Sequence, residues 1–478
     1  MLHPATMFFM LTVAVVFLSW IVDVYGLNVI HPQTGQLIVV QNLLSPEGIR
    51  WLLKNVITNF TGFAPLGMVI ITMFGIGVAQ HSGFINACIR ARSRSLHNQK
   101  TIILIVIVTG ILSNIIADTG YIILIPIAAT LFHSAGMHPV GGIITAFVSV
   151  ACGYSANFLI GALDPLLSRT TQEAIISSGI IANNVGPLSN YYFMFASTFL
   201  IAAIIYYITI KKLIPSLGKY DGTIQFEGFK SLSKRERRAL LWALVVGAVY
   251  LTVVLWATFS SWGLLRGITG GLVQSPFMVG ILFLLSLYFG IMGMVYGFIS
   301  GRYRHDTDVV EGLVQPMNLL GTYLVITFFA AQMLACLQYS QLNKCIAIFG
   351  ANMMSLVDLG KVGSIVLFIL FVAAINFIMT SSTTKWTFMA FIFVPMFDNL
   401  GISPDFTQCA FRIGDSATNG ISPFLLYMPL VLTYLQQYSE GSTYGTLVRY
   451  TWRYSLYILI SWIILFVIWY LAKIPLGL

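Results

Sequence analysis

The chain has 478 residues, 58% of them hydrophobic and 9% charged, with a formal charge of +9 at pH 7. A soluble domain carries nearer a quarter charged residues, so most of this chain belongs in lipid. The basic surplus sits in short segments between apolar runs, where it orients helices, and this argues against a nucleic-acid partner.

Apolar stretches of about 20 residues recur from Met7 to Lys473, the length a helix needs to cross a hydrocarbon core roughly 30 Å thick. Barrel-type alternation is absent. The first stretch lacks a basic n-region and a small-residue cleavage site, and is expected to stay as a helix. The cysteines Cys88, Cys152, Cys336, Cys345 and Cys409 show no metal spacing and imply no disulfide framework. Full spans are expected at 7–28, 63–83, 136–168, 190–210, 238–259, 276–300, 312–338, 405–436 and 453–473, nine in all.

Two apolar regions remain. Lys100–Ala135 is divided by Ser113-Asn114-Ile115-Ile116-Ala117-Asp118-Thr119-Gly120, and its leading arm of 13 residues reaches only about 20 Å as a helix. It is expected to enter and return. Lys361–Asn399 is divided in the same way by Thr380-Ser381-Ser382-Thr383-Thr384-Lys385-Trp386. With the N-terminus in the cytoplasm, sixteen Lys and Arg fall in cytoplasmic segments (90–100, 211–238, 302–304, 449–453) and seven outside. The other two, Lys385 and Arg412, lie at membrane depth, where a charge is costly without a partner. In this threading the two hairpins open to opposite sides, which predicts an inverted repeat.

The duplication is legible directly. Leu131-Phe132-His133-Ser134-Ala135-Gly136-Met137-His138-Pro139 aligns with Met396-Phe397-Asp398-Asn399-Leu400-Gly401-Ile402-Ser403-Pro404, each after a hairpin arm with one proline, Pro126 or Pro395. Each then enters a span with a polar break, Gly153-Tyr154-Ser155-Ala156-Asn157 or Gly414-Asp415-Ser416-Ala417-Thr418-Asn419-Gly420. Unwound backbone survives in a bilayer only where it is buried in protein or faces a wet cavity or ligand, so the four breaks are expected to converge. The fold class is therefore all-α integral membrane, with nine spans, two re-entrant hairpins and broken helices in inverted repeats. Residues 99–212 and 359–478 are expected to form the transport core, and 1–98 and 213–358 the scaffold and oligomer helices.

Neutral oxygen donors crowd the breaks: Ser113, Asn114, Ser155 and Asn157 in the first half, and Asn376, Ser382, Thr383, Thr418 and Asn419 in the second. Such ligands suit a small hard cation, and Asp415 adds a negative charge; the same residues also cap half-helices. Arg412 and Asp415, three apart, share a helix face and can pair. Alternatively Arg412 holds an anionic substrate through its bidentate fork. Asp164, before Pro165, either carries a proton or caps a helix. Trp386 offers a flat face for an aryl ring or anchors the hairpin, and Lys385 either snorkels or neutralises Asp415. An intramembrane aspartyl protease is disfavoured, because Arg412 stands where that motif needs glycine two residues before Gly414. Asp118-Thr119-Gly120 lacks the second copy an aspartic protease requires, and a passive channel has no need of duplicated hairpins.

At these motifs the chain resembles the AbgT family of p-aminobenzoyl-glutamate transporters. The resemblance is carried by Ser113–Pro139, by Gly153–Ala174 with Leu163-Asp164-Pro165-Leu166-Leu167, by Lys385-Trp386, and by Phe411-Arg412-Ile413-Gly414-Asp415-Ser416-Ala417-Thr418-Asn419. It implies a homodimer in a bacterial inner membrane, with a fold akin to the divalent-anion/sodium symporters. It further implies a substrate pathway through Asp164, Thr383, Trp386, Arg412 and Pro423, with Asp415 beside it. The cargo implied is p-aminobenzoyl-glutamate or a related folate-pathway aryl carboxylate, or sulfonamides in the exporting members; a generic sodium-coupled dicarboxylate carrier is the alternative. No cofactor is expected, and the coupling ion is sodium or a proton.

Overall fold

The structure is a computed structural model that describes residues 3–26, 28–30, 35–91, 98–116, 119–161, 163–180, 185–222, 232–260, 263–267, 275–354 and 359–478. Ala117 and Asp118 of the first hairpin tip lie outside the described residues. The described chain is mostly helical. Among the described residues, seven helices are long and apolar enough to cross a membrane: Pro4–Val24, Pro46–His81, Tyr191–Leu217, Lys234–Phe259, Ile281–Ser300, Leu320–Tyr339 and Tyr444–Leu471. The polar breaks interrupt two further expected spans. Pro139–Ala151 is followed by Leu163–Ser177, and Pro404–Ala417 by Met428–Tyr438, so each piece is 15 residues or shorter.

The all-α expectation needs one small correction. Val29–Ile30 pairs antiparallel with Leu37–Ile38 after the first helix. The β-branched residues there favour an extended strand over a helix turn.

Local sequence sets the helix ends. Ser45 accepts the Gly48 N–H at the start of Pro46–Thr61, and Ser233 with Glu236 forms a capping box at the start of Lys234–Phe259. The repeated Gly-x-x-Pro motif has a physical cause in both halves. Gly136 (φ +72°) and Gly401 (φ +69°) end the second hairpin arms in the left-handed region that favours glycine. The following amide then turns back, Met137 N–H to the Phe132 carbonyl at 2.9 Å and Ile402 N–H to that of Phe397 at 2.8 Å. Pro139 and Pro404 each open the next helix at a position where no N–H is needed.

The first hairpin pairs Gln99–Ser113 with Gly120–Ser134, and the second pairs Gly360–Ile375 with Ser382–Asn399. The start of the second arm differs. Gly120–Leu124 is a π-helical turn just before Pro126, whose missing N–H loosens the regular ladder there.

Two apolar clusters hold the molecule. The larger joins both hairpins, both interrupted helices, Tyr191–Ile208, Tyr444–Leu471, Pro4–Val24 and Met317–Tyr339. The smaller packs Ala64–His81 and Phe84–Ala91 on Lys234–Phe259 and Ile281–Ser300, through Ile76, Ala79, Phe84, Ala243, Met292 and Tyr296. Gly75 and Gly293 make that contact possible: a side-chain carbon at Gly75 would sit 1.8 Å from the Ser286 carbonyl oxygen. Lys234–Phe259 leaves Leu241, Trp242, Val249, Val253, Trp256 and Phe259 exposed, an apolar flank suited to lipid or to another subunit.

Candidate functional site

The breaks of the two interrupted helices meet in the larger cluster. On Pro404–Ala417 a helical spacing of i, i+4, i+7 carries Gln408, Arg412 and Asp415, all buried. Gln408 and Arg412 fasten this helix to Leu163–Ser177, and Asp415 fastens it to the second hairpin.

Arg412 reaches into the other half of the chain. Its Nη1 lies 2.7 Å from Asp164 Oδ1, and its Nη2 donates to the Ser155 carbonyl at 3.1 Å. The second carboxylate oxygen of Asp164 accepts the Gly161 N–H at 2.6 Å. This corrects the Arg412–Asp415 pairing that spacing suggested: the residues are three apart, yet each has a better partner across the breaks. Asp164 opens the helix after its break, as a capping carboxylate does, and also bears the charge that neutralises Arg412.

Asp415 pairs with Lys385. The ammonium is 2.5 Å from Asp415 Oδ1 and donates to Asn376 Oδ1 at 2.6 Å, with both charged side chains wholly buried. Ser382 Oγ donates to the other Asp415 oxygen. Asn376 Nδ2 donates to the Asp415 carbonyl (2.9 Å), to Asn419 Oδ1 (2.8 Å) and to Thr418 Oγ1 (3.1 Å). Asn376, Ser382, Asp415, Thr418 and Asn419, expected as cation ligands, are therefore brought together; Asp415 and Asn376 hold an ammonium carried by the chain itself, and the other three bond to those two. Of the two readings of Lys385, neutralisation of Asp415 is the one the geometry bears out; the four-carbon stem folds inward and does not snorkel.

The first break is arranged differently. Asn114 Nδ2 donates to the Val150 carbonyl at 3.0 Å, while Asn114 Oδ1 and Asn157 Oδ1, both buried, have no hydrogen-bond partner. Ser113 Oγ is spent on the Gly110 carbonyl of its own helix at 2.7 Å, and Ser155 Oγ accepts from Ser416 Oγ at 2.7 Å. These two hydroxyls act as a helix cap and an inter-repeat fastener in this structure.

Trp386 is wholly buried and offers no open face. Its ring packs 4.5 Å from that of Phe411, and its Nε1–H donates to Thr171 Oγ1 at 2.9 Å. Thr171 in turn donates to Gln408 Oε1 at 2.5 Å, and Gln408 Nε2 donates to Asn190 Oδ1 at 2.8 Å. Sequence reasoning missed Thr171, Gln408, Asn190 and Gly161. The position of Gln408 one turn before Arg412 was the available signal. Thr383 and Pro423 are half-buried at the hairpin tip and the second break, and no hydrogen bond joins either to Arg412 among the described residues.

Beside the first hairpin lies a cavity of about 540 Å³ lined by Gln80, His81, Thr130, His133, Arg302 and Gln437, among others. It separates Ala64–His81 from the hairpin arm and from Met428–Tyr438. With an arginine and several amide side chains in its wall, it suits a polar, anionic solute.

Known proteins match this chain along nearly its whole length. The sequence profile of the AbgT transporter family matches residues 1–478. The p-aminobenzoyl-glutamate transport protein of Escherichia coli (strain K12) is 32% identical over 476 residues, covering 99% of this chain and 93% of the relative. Among solved structures, the Alcanivorax borkumensis YdaH transporter, described as having an unusual topology, superposes with a TM-score of 0.55 at 34% identity over the whole of both chains. Neisseria gonorrhoeae MtrF, described as illuminating a class of antimetabolite efflux pumps, superposes with a TM-score of 0.53 at 38% identity, covering 98% of this chain and 95% of its own.

Proposed function

Because the chain belongs to the AbgT transporter family, we propose that it carries p-aminobenzoyl-glutamate or a related aryl carboxylate across a bacterial inner membrane. The observation that carries this reading is the buried Arg412–Asp164 pair at the meeting of the two breaks. Arg412 is a fork already held by one carboxylate, and its Nε has no hydrogen-bond partner. A substrate carboxylate can add to that fork or displace Asp164 from it. Thr383 and Pro423 border this path, and Trp386 becomes available to an aryl ring when the second hairpin swings away from Leu163–Ser177.

The substrate class is supported by the Escherichia coli relative, and a second reading, export of sulfonamide-type antimetabolites, is favoured by the likeness to MtrF. Nine spans with two re-entrant hairpins, an N-terminus in the cytoplasm, a moving core of 99–212 and 359–478 and a gradient as driving force complete the proposal. The matched Gly136 and Gly401 turns and the sixteen-to-seven bias of basic residues support it. The apolar flank of Lys234–Phe259 supports a homodimer.

Binding of p-aminobenzoyl-glutamate to the purified protein tests this directly. Arg412→Lys keeps the charge but loses the fork, so affinity for that ligand is expected to fall at least tenfold, and for sulfonamides without a carboxylate much less. Succinate binding as tightly as the aryl ligand would overturn the substrate class in favour of a generic dicarboxylate carrier.

A further inference from the structure

The two halves treat equivalent positions in opposite ways. Val150 and Asp415 each stand eleven residues after the proline of their Gly-x-x-Pro motif, and Gly120 and Lys385 each stand nineteen residues before it. The contacts respect this equivalence. A side-chain carbon at Gly120 would meet Val150 Cγ2 at 2.7 Å, just where, in the second half, Lys385 meets Asp415. Asn114 and Asn376 each cap the first arm of a hairpin, and each donates its Nδ2 to the backbone carbonyl at this matched position, Val150 or Asp415. One half thus has an ion pair where the other has a glycine against a valine.

The carboxamide oxygens complete the contrast. Asn376 Oδ1 receives the Lys385 ammonium and Asn419 Oδ1 receives Asn376 Nδ2. In the first half Asn114 Oδ1 and Asn157 Oδ1 are more than nine-tenths buried and have no hydrogen-bond partner among the described residues. A buried acceptor without a donor is costly, and two beside one break point to a ligand that supplies positive charge. Gly161 lies beside both residues. A carbon placed on it would lie 3.4 Å from the Asn114 carbonyl oxygen, 3.6 Å from Asp164 Oδ2 and 3.7 Å from Asn157 Nδ2. The Asn114 carbonyl and the Asp164 carboxylate border this point, and turning the Asn157 amide brings its oxygen where its nitrogen now lies, which makes a donor set for a hard monovalent cation.

We infer that the Lys385 ammonium is a built-in cation at the second break, so that one sodium ion binds per chain, at the first break, between Asn114, Asn157, Gly161 and Asp164. This deepens the transporter reading and rests on it. Charge explains why the ion is needed. Among the described residues buried at the breaks, Asp164, Arg412, Lys385 and Asp415 sum to zero, so a substrate carboxylate would enter this buried region uncompensated. A sodium ion at the first break supplies the missing positive charge and couples the two bindings.

The test is equilibrium binding of radiolabelled sodium to the full-length protein in lipid nanodiscs, without substrate, with choline as the replacement ion. The wild type is expected to bind one sodium per chain. Gly161→Ala adds a carbon at ordinary van der Waals distances, so it is expected to keep its melting temperature in choline yet raise the sodium half-saturation at least tenfold. Lys385→Ala, with its pocket opened, is expected to bind a second sodium and to melt higher in sodium than in choline. A wild-type stoichiometry of zero or two overturns the inference and needs no variant. So does Gly161→Ala binding sodium normally, or a folded Lys385→Ala that stays at one. The Arg412→Lys ligand series, run in saturating sodium, judges the substrate reading separately, so the two can fail apart.

Discussion

Lys385 and Asp415 form an ion pair of 2.5 Å with no exposure to solvent on either side chain, linking the second hairpin to the interrupted helix beside it. Its members depend on each other more than the fold depends on the pair. Removing one charge leaves the other stranded, whereas replacing both with apolar groups of similar volume is often close to neutral. Lys385→Met is therefore expected to destabilise the protein by about 3–5 kcal/mol in sodium-free buffer, and Lys385→Met with Asp415→Leu to recover most of that loss. Denaturant unfolding of the two variants in detergent checks this. A double variant no more stable than the single one would show that Asn376 and Ser382, left without partners, dominate the energetics.

Trp386 acts as a fastener between halves in this conformation. Trp386→Phe retains the packing on Phe411 but loses the indole N–H to Thr171, a net cost of about 1 kcal/mol. Trp386→Ala removes the ring as well and is expected to cost about 3–5 kcal/mol through the cavity left behind. Thermal unfolding distinguishes the two. If Trp386→Ala were as stable as Trp386→Phe, the buried ring would not be holding the hairpin.

The paired glycines make a prediction about symmetry. At Gly136 and Gly401 the backbone lies in the left-handed region, where a side chain costs about 1–2 kcal/mol. Gly136→Val and Gly401→Val are expected to lose at least that much each, and the asparagine variants distinctly less, because asparagine tolerates this conformation. Melting temperatures of the four variants check the point, and a loss confined to one of the two sites would break the equivalence.

Orientation is open to chemical labelling. In a background without the native cysteines, Lys219→Cys is expected to react only from the cytoplasm and Lys361→Cys only from the opposite face, both positions being exposed. Labelling of both from one side would contradict the inverted arrangement.

Membrane residence, the sites of the two hairpins, the two interrupted helices and their repeat were all legible in the chain. They are local or compositional. A run of apolar residues declares its length, and glycine at a left-handed turn followed by proline at a helix start announces a turn wherever it occurs. The residues that gather at the breaks were legible for the same reason, since polar atoms in an apolar run need a shared refuge. What only the tertiary structure decided was which of them pair. Helical spacing placed Arg412 and Asp415 on one face but was blind to what lies opposite: the docking of one half on the other gave Arg412 to Asp164, and packing of the second hairpin on its neighbouring helix turned Lys385 inward to Asp415. Spacing along one helix sets the direction in which a side chain leaves the backbone. In a low-dielectric interior the nearest opposite charge then wins, and for Arg412 that neighbour is chosen by contact between segments more than two hundred residues apart.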